Sequence, residues 1–518
     1  MTDFSRRDAL ALLAAFGLAG PFAKGARADD GLAFAAPRPF SFDTLIEGAK
    51  RRAGDVYKPP QSKGAQILAK IDYDQHNKIR YRLDRALKVN GGKSRVALFH
   101  PGALFPLPVG MHLVDGGSSR ELTYRSDYFD MPDDSPAKQL PGDIGFAGFR
   151  VMGADTERDW LAFLGYAYFR SSGELDQFGQ SARALAIDVA MPTPEEFPRF
   201  TDFYFAPSQD GDLTIYCSLD SPRVTGALRM DMIKNGTVVM DISARYFARE
   251  DIARFGIAPL TSMFWFSEAN RERGADWRPE VHDTDGLSIW TGAGERLWRP
   301  LNNPDRVMTS SFADENPKGF GLMQRDRNFE NYEDDGVFYE KRPSVWIEPK
   351  GQWGRGQVQL VEIPTDDEIH DNIVAYWLAE KPVKRGDAMA LDYKLTWAKD
   401  EPHPASVGHV IATRIGRGGI PGQPRPPGVF KLVVDFAGGP ISSLAKQGEP
   451  VEAVVTASSG VISNISCYAN KAEDSWRALF DLTPANGDPC ELRLFLKKDG
   501  VPLTETWLYQ FLPPRRTG

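Results

Sequence analysis

Two acidic motifs in the second half of the chain could supply the carboxyl groups of an acid–base reaction. The first is His282-Asp-Thr-Asp-Gly286 and the second is Pro364-Thr-Asp-Asp-Glu-Ile-His-Asp-Asn372. Glycoside hydrolysis needs one protonated carboxyl group for the leaving oxygen and one ionised carboxylate that activates water or attacks the sugar. Each motif can supply one of the two. Strand alternation would place Asp283 and Asp285 on one face, whereas Asp-Gly is equally common in an ordinary turn.

Residues 261–377 combine aromatic, acidic, amide and arginine side chains with glycines, which is typical of a sugar-binding site. Aromatic rings pack against the C–H faces of sugars, and arginines and amides bind hydroxyl groups. The alternative is that most of these rings form the core of a large β-sandwich. The residues expected to bind substrate are Trp265, Glu268, Asp285, Trp290, Trp298, Arg299, Arg325, Tyr332, Arg342, Trp346 and Trp353.

The motifs for metals and cofactors do not fit this chain. A calcium loop starting at Asp283 fails because Leu287 and Gly294 stand where ligands should be. A zinc site at His282 and His370 lacks cysteine ligands, so we expect these histidines to orient carboxylates. The chain contains no phosphate-binding loop, no Gly-x-Ser-x-Gly motif and no dinucleotide fingerprint. We therefore expect no metal and no cofactor.

The first 28 residues predict export from the cytoplasm. A Ser-Arg-Arg-Asp motif at 5–8 precedes an apolar run at 9–22, and small residues at 26 and 28 suit a signal peptidase. This pattern is typical of a twin-arginine signal peptide, with a mature chain that starts near Asp29 in the periplasm. A membrane anchor is the weaker alternative, because the run is shorter than the roughly 20 residues that span a bilayer.

Composition indicates a globular protein rather than a nucleic-acid or membrane protein. Of the 518 residues, 42% are hydrophobic and 25% are charged, and the formal net charge is −8. A net negative surface repels phosphate backbones and anionic lipid. Cys217, Cys467 and Cys490 show no metal-binding spacing. Cys467 and Cys490 could form a disulfide in an oxidising compartment, but separate buried thiols are favoured.

The fold class is predicted to be mainly β. A charged helical pattern covers 50–88, and two short helices are expected at 194–197 and 243–255. Elsewhere, alternating runs separated by Gly, Pro, Asn and Asp indicate antiparallel strands. The strands expected before residue 380 lie at 95–99, 212–216, 237–242, 357–363 and 372–377.

A domain boundary is predicted at 380–386, where a polar stretch with Pro and Gly separates two strands. The six or seven strands that follow, from Ala390 onward, suit an immunoglobulin-like sandwich. Asp499 and Gly500 indicate the tight turn of its last hairpin. Residues 413–428 contain five Gly and four Pro and predict a long flexible loop.

Several long motifs resemble the osmoregulated periplasmic glucan biosynthesis proteins G and D, and the likeness runs from about Phe40 to the C-terminus. The matching stretches are His282-Asp-Thr-Asp-Gly-Leu-Ser-Ile, Trp298-Arg-Pro-Leu-Asn-Asn-Pro, Glu315-Asn-Pro-Lys-Gly-Phe-Gly-Leu, Arg342-Pro-Ser-Val-Trp, Gly351-Gln-Trp-Gly-Arg-Gly, Val361-Glu-Ile-Pro-Thr-Asp-Asp-Glu and Asp371-Asn-Ile-Val-Ala-Tyr-Trp. The resemblance implies a galactose-mutarotase-like β-sandwich at 29–380 and an immunoglobulin-like domain at 387–518. The twin-arginine leader at 1–28 favours the D branch of the family.

The resemblance also implies an activity on β-1,2-linked glucan, as an inverting endo-β-1,2-glucanase of glycoside hydrolase family 186. It assigns Asp371 as the general acid and Asp283 as the general base, with Tyr339 close to the reacting centre. Asp285 is an alternative to Asp283. An acid with a raised pKa is required, and Ile369, Ile373 and Asp367 stand near Asp371 in sequence to raise it.

Three alternatives to hydrolysis stay open at this point. Some relatives transglycosylate the same glucan, and a non-catalytic glucan-binding or scaffold protein would use the same aromatic residues. A mutarotase-like enzyme acting on free sugars would need a His and Glu pair in a closed pocket. A homodimer is compatible with the sequence, because the loop at 413–428 could carry Arg414, Arg417 and Arg425 to a neighbouring subunit.

Overall fold

The computed structural model describes residues 31–154, 158–447 and 450–513. The predicted export signal at 1–28 lies outside these residues. The fold is mainly β, as predicted, and its strands form several sheets that are consistent with β-sandwich domains. Within the described residues, no helix combines the length and the apolar composition that crossing a membrane requires.

Helices are few and short in the part of the chain that the structure describes. The α-helices are α1 (Phe42–Gly54), α2 (Ala65–Leu68), α3 (Tyr73–Asn77) and α4 (Gly439–Gln447). Short 3-10 turns lie at Leu83–Arg85, Asn90–Gly92, Ser126–Tyr128, Pro136–Gln139, Arg271–Arg273, Phe329–Asn331 and Tyr339–Lys341. Helix α1 begins after Ser41, whose hydroxyl accepts the Thr44 N–H at 3.1 Å, and it buries Leu45 and Ala49.

Thirty-five strands follow one another in the described residues. The first sixteen are β1 (Arg38–Pro39), β2 (Arg80–Tyr81), β3 (Leu87–Val89), β4 (Ser94–Phe99), β5 (Gly110–Asp115), β6 (Ser118–Glu121), β7 (Phe129–Asp130), β8 (Gly148–Gly153), β9 (Asp159–Leu164), β10 (Tyr168–Ser171), β11 (Ser181–Arg183), β12 (Leu185–Ile187), β13 (Arg199–Ala206), β14 (Leu213–Asp220), β15 (Val224–Asn235) and β16 (Thr237–Ala248). The remainder are β17 (Phe255–Ser262), β18 (Phe264–Phe266), β19 (Val281–His282), β20 (Gly286–Trp290), β21 (Arg296–Pro300), β22 (Met308–Glu315), β23 (Gly319–Met323), β24 (Ser344–Lys350), β25 (Arg355–Glu362), β26 (Ile373–Ala379), β27 (Ala388–Ala398), β28 (His409–Arg417), β29 (Phe430–Ala437), β30 (Glu452–Ala457), β31 (Val461–Asn470), β32 (Ser475–Thr483), β33 (Cys490–Lys498), β34 (Val501–Pro502) and β35 (Thr506–Phe511).

Two large sheets form the N-terminal part of the molecule. The first sheet runs β1-β6-β5-β13-β14-β15-β16-β27-β24-β23-β20-β21-β35-β33-β30, with β34 beside β33. The second sheet runs β22-β25-β26-β17-β11-β10-β9-β8-β4-β3, with β12 beside β17. Rings of the two sheets pack against each other: Phe149 on β8 meets Phe203 on β13 at 4.8 Å, and Phe169 on β10 meets Trp397 on β27 at 5.9 Å. The main core therefore lies between the two sheets.

The C-terminal part is a second sandwich joined to the first sheet. A four-stranded sheet, β28-β29-β32-β31, faces β30, β33 and β35, with Phe480 and Trp507 in contact at 6.4 Å. Strand β35 pairs in parallel with β21, so Trp507 stands beside Trp298. The edge of the N-terminal sheet thus continues directly into the C-terminal sandwich.

Several sequence predictions of elements are wrong. Helix α1 ends at Gly54, so only short helical turns interrupt the region predicted as helical at 50–88. No helix forms at 194–197, where Glu196 makes an isolated bridge to Ile187. Residues 243–248 belong to β16, whose side chains alternate between partly and fully buried; the apparent helical spacing of Ala248, Ile252 and Phe255 crosses the end of that strand.

The predicted boundary at 380–386 is not followed by a change of sheet. Strand β27, expected to open the C-terminal domain, instead pairs with β16 and β24 in the first sheet. The predicted loop at 413–428 is also shorter, because β28 continues to Arg417 and the Arg414 guanidinium binds Asp435 at 2.7 Å.

The predicted hairpin turn at Asp499 and Gly500 is confirmed, since both residues have positive φ between β33 and β34. The three cysteines are free thiols, as favoured, although Cys467 is only partly buried.

Candidate active site

Asp283 and Asp371 lie near one another because their segments flank the same piece of chain. The Asp283 N–H donates to the Met263 carbonyl at 2.8 Å. On the other side, the Asn372 side chain accepts from the Phe264 N–H and donates to the Phe264 carbonyl, both at 2.8 Å. The two acidic segments therefore lie on opposite sides of residues 263–264.

Arg342 links the two carboxyl groups. Its guanidinium donates to Asp283 Oδ1, and its positive charge partly offsets the rise that burial causes in the pKa of Asp371. The guanidinium packs against the ring of Tyr339, 4.2 Å from the ring centre. Burial lowers the pKa of Arg342 to about 9.

Asp371 has the environment expected of a proton donor. The residue is 5% exposed, and Oδ2 is buried without a hydrogen-bond partner in the described part of the chain. Burial raises the pKa of Asp371 to about 6, against the opposing charges of Arg170, Arg183 and Arg342. The carboxyl group is therefore protonated below about pH 6.

The expected causes of this shift are only partly right. Ile373 is fully buried next to Asp371, but Ile369 is 48% exposed and cannot shield it. Asp367 is exposed and does not contribute to the pKa of Asp371. Burial of the Asp371 carboxyl group, rather than a neighbouring negative charge, raises its pKa.

A third carboxylate, Glu368, completes the centre. Arg278 donates to its two oxygens at 2.8 and 3.1 Å, and the Tyr339 hydroxyl donates to Oε2. Burial and the charge of Glu368 raise the pKa of Tyr339. Arg278 also binds Asp334 at 2.8 Å, so the guanidinium is fixed from two directions. This network fixes the Glu368 side chain beside Tyr339.

Asp285 belongs to a different cluster from Asp283. Its carboxylate accepts the N–H groups of Arg325 and Asp326, and it lies 3.7 Å from His282. The segment between β19 and β20 bends and is not a regular strand. Asp283 and Asp285 therefore do not share one face, as strand alternation predicts, and they have different partners. Burial raises the pKa of Asp285 to about 6.

His282 orients this second cluster. Its Nε2 lies 3.0 Å from Glu280, and the carboxylates of Glu280 and Asp285 outweigh burial and raise its pKa to about 9. The His282 ring also packs 5.2 Å from Tyr332, which in turn stacks on Tyr339 at 6.0 Å. Tyr332 therefore connects the two clusters. His370 has a buried Nδ1 without a partner among the described residues, so the structure gives it no carboxylate to orient.

Glu268 joins this cluster to the C-terminal sandwich. Its Oε1 accepts the Thr413 N–H at 2.9 Å. Burial, with a further contribution from the Glu280 carboxylate, raises the pKa of Glu268 to about 8. Its carboxyl group is consequently protonated at neutral pH.

The remaining predicted substrate residues are spread over several places. Trp265 is half-buried beside Phe266, near the Asp283 segment. Trp298 and Trp346 belong to the core of the C-terminal sandwich, and Arg325 stacks on Trp298 at 3.6 Å. Both indole rings are buried, so neither presents an exposed face beside Asp371.

Three further predicted residues have structural partners. Arg299 forms a fully buried ion pair with Glu362 at 3.1 Å. The Trp290 ring centre lies 3.9 Å from the Arg296 guanidinium, and the ring packs against the core of the C-terminal sandwich. Trp353 packs 6.3 Å from Trp377 and 6.1 Å from Tyr393.

Sequence reasoning missed four residues of the site: Arg170, Arg183, Arg278 and Glu368. Glu368 lies inside the second acidic motif and could have been found there. Arg170 and Arg183 stand on the adjacent strands β10 and β11, about 200 residues from Asp371 in sequence, and carry no local motif. Among the described residues, no group of three or more His, Cys, Asp and Glu is arranged to hold a metal ion.

Known proteins share this sequence over most of its length. The family described as "Periplasmic glucan biosynthesis protein, MdoG" matches residues 40–511. "Glucans biosynthesis protein D 2" of Ralstonia nicotianae is 53% identical over 92% of this chain and 91% of its own. "Glucans biosynthesis protein D" of Stenotrophomonas maltophilia is 46% identical over 99% and 97%. The protein of the same name from Xanthomonas campestris is 45% identical over 98% and 97%. A solved structure of a polysaccharide lyase is 9% identical, over 71% of this chain and 44% of that one. Its TM-score of 0.24 is too low to indicate a shared fold.

Proposed function

The chain belongs to the MdoG family of periplasmic glucan biosynthesis proteins, and from this premise we propose that it hydrolyses β-1,2-linked glucan as an inverting, endo-acting glycoside hydrolase. Its place of action is the periplasm, and export by the twin-arginine leader is part of the proposal. The single observation that carries it is the pairing of two carboxyl groups with different environments through Arg342.

Asp371 is the proposed general acid. Its raised pKa keeps a proton available in mildly acidic solution, and no side chain or backbone group in the described part of the chain competes for its Oδ2. Protonation of the leaving oxygen lets the glycosidic bond break without forming an alkoxide.

Asp283 is the proposed general base. Arg342 donates a hydrogen bond to its carboxylate, an interaction that a charged carboxylate makes more strongly than a neutral one. Inversion needs carboxyl groups roughly 6.5–9.5 Å apart, so that a water molecule fits between the base and the sugar. The chain at 263–264 stands between the two acidic segments, an arrangement that is compatible with that room.

Tyr339, Arg278 and Glu368 are proposed to position this pair. Tyr339 supports the Arg342 guanidinium with its ring and binds Glu368 through its hydroxyl. Because Arg278 fixes Glu368 on the other side, Arg342 has a rigid platform. Such preorganisation reduces the reorganisation that the reaction requires.

The test is incubation of the purified protein with linear β-1,2-glucan, followed by the distribution of chain lengths and by NMR of the first-formed anomer. Shorter chains that first appear as the α-anomer are the expected result. Longer chains alongside shorter ones would instead establish transglycosylation. Binding of the polymer without any change in length would establish a scaffold protein and overturn the proposed hydrolysis.

A further inference from the structure

A cavity of about 290 Å³ opens at the far end of the two sheets from Asp371. Its walls include Phe255, Trp353, Leu378, Lys381, Ala390 and Asp392, and we call it the distal cavity. Asp371 precedes β26 and Leu378 lies seven residues further along it, a path of about 23 Å at 3.3 Å per residue. Phe255 likewise begins β17, whose last residue, Ser262, pairs with Ile373 beside Asp371. The distal cavity is therefore separate from the candidate active site.

Trp353 is held rigidly in the wall of the distal cavity. It stands in the short connection between β24 and β25, where Gly351 and Gly354 have φ of 78° and 74°, values that favour glycine. The Gly354 N–H donates to Asn316 Oδ1 at 2.7 Å, and the Asn316 N–H donates back to the Gly354 carbonyl at 2.9 Å. The indole ring also packs at 6.1 Å against Tyr393. A fixed aromatic side chain loses little entropy when a ligand binds.

The polar groups around Trp353 favour a neutral, hydroxyl-rich ligand. The lining contains two lysines, Lys350 and Lys381, and two aspartates, Asp387 and Asp392, so the formal charges of its lining residues sum to zero. Gln352, a neutral residue with both a donor and an acceptor, stands exposed beside Trp353. An aromatic wall with a few polar groups at the rim is the composition of a small-molecule site, and a sugar ring fits both features.

We propose that the distal cavity is a second glucan-binding site, which holds a remote part of the same polymer that the candidate active site acts on. The identity of the ligand as β-1,2-linked glucan rests on the proposed function. Two sites on one chain raise the affinity for a long polymer without any new contact at the first site. Short oligosaccharides occupy the two sites independently.

The experiment uses the full chain with Asp371→Asn, so that ligand is not consumed. Calorimetric titration with a short β-1,2-linked glucooligosaccharide should show two binding equivalents. Adding Ala390→Trp fills the distal cavity from an exposed strand position and should leave one equivalent. The same change should weaken binding of the long polymer by roughly tenfold or more. Trp353→Ala should reproduce both effects, and the circular dichroism spectrum checks that each variant is folded.

Tyr468→Ala is the matched control, because Tyr468 is an aromatic residue, 45% exposed, on the C-terminal sheet. It should leave both equivalents unchanged. Two equivalents and an unaltered polymer affinity in the Ala390→Trp protein would overturn the second site. If the wild-type protein also shortens glucan chains in that case, only this inference fails. If the distal site binds glucan but the wild-type protein does not cleave it, the proposed hydrolysis fails and this inference stands. Absence of any glucan binding would overturn the second site as well.

Discussion

Arg342 donates a hydrogen bond to the carboxylate of Asp283, and the side chains of the two residues are 15% and 4% exposed. An ion pair of this kind, taken largely out of water, is sensitive to the loss of either member. Because the same guanidinium partly offsets the rise that burial causes in the pKa of Asp371, one arginine acts on both carboxyl groups of the proposed reaction.

Replacing either carboxyl group should nearly abolish turnover. For Asp371→Asn and Asp283→Asn we expect kcat on β-1,2-glucan to fall by about 10²–10⁴-fold, the usual contribution of one acid–base group. Asp366→Asn is the matched control, because Asp366 is an exposed member of the same motif as Asp371. Initial rates of reducing-end formation measure all three. Equal rates for Asp366→Asn and Asp371→Asn would contradict the assignment of the acid.

Replacing Arg342 should change the pH profile as well as the rate. In the wild-type protein kcat/KM should fall as pH rises through about 6, because Asp371 must carry its proton. Arg342→Met removes a positive charge that favours the carboxylate, so the pKa of Asp371 rises and this alkaline limb moves to higher pH. We also expect roughly a 10- to 100-fold loss of rate from the lost charged hydrogen bond.

Arg342→Lys keeps the charge and is the control for that shift. Its alkaline limb should stay close to that of the wild-type protein even though the forked hydrogen-bond geometry is lost. A rate loss in Arg342→Met with no movement of the limb would show that Arg342 does not act on the acid.

Strands and the two acidic motifs could be predicted from the sequence because both are local. The alternation in 237–242 gave β16, and the motif around Asp371 lies at the start of β26 as expected. The helix predicted at 243–255 does not form, because the three apolar residues with helical spacing lie across the end of a strand. In β16 the pairing with β15 and β27 on both sides decides the conformation.

The charges around Asp371 could not be predicted, because they come from distant parts of the chain. Arg170 and Arg183 reach it only through the order of strands in the second sheet, which no motif encodes. The sequence also does not distinguish aromatic residues that bind sugar from those that form the core. Trp298 and Trp346 have the composition of sugar-binding residues, but the continuation of the first sheet into the C-terminal sandwich buries them.

Glu268 should make the stability of the fold depend on pH. Its pKa is about 8 in the folded protein against an ordinary value of 4.5, so between these values the folded state holds a proton that the unfolded chain releases. Stability from this group is present at low pH and is lost as pH rises towards 8. Glu268→Gln removes the titration and can still accept the Thr413 N–H. Its melting temperature should exceed that of the wild-type protein at pH 8 and match it near pH 4.5.

Glu272→Gln, an exposed change in the same segment, is the control for Glu268. It should leave the difference in melting temperature between the two pH values as in the wild-type protein. If the melting temperature of Glu268→Gln differs from that of the wild-type protein by the same amount at pH 4.5 and at pH 8, the raised pKa of Glu268 is contradicted.

The ion pair between Arg325 and Glu505 should hold the two sandwiches together. Two bonds of 2.6 and 3.1 Å join them, and the Glu505 side chain is 3% exposed. Glu505→Gln leaves a buried guanidinium without its full partner, so we expect a loss of about 3–5 kcal/mol in the free energy of unfolding. Guanidinium titration followed by tryptophan fluorescence measures it. Glu452→Gln breaks an exposed pair with Lys497 and should cost less than about 1 kcal/mol.

Tyr339 offers a way to separate its ring from its hydroxyl. Tyr339→Phe keeps the ring 4.2 Å below Arg342 but removes the donor to Glu368, which Arg278 still binds through both oxygens. Tyr339→Ala removes both and frees Arg342 to leave Asp283. If Tyr339 acts by positioning, kcat should fall by less than about tenfold in Tyr339→Phe and by far more in Tyr339→Ala. A loss in Tyr339→Phe as large as that in Asp371→Asn would instead place the hydroxyl among the groups that transfer a proton. Measuring kcat for all three variants on one glucan preparation decides between the two roles.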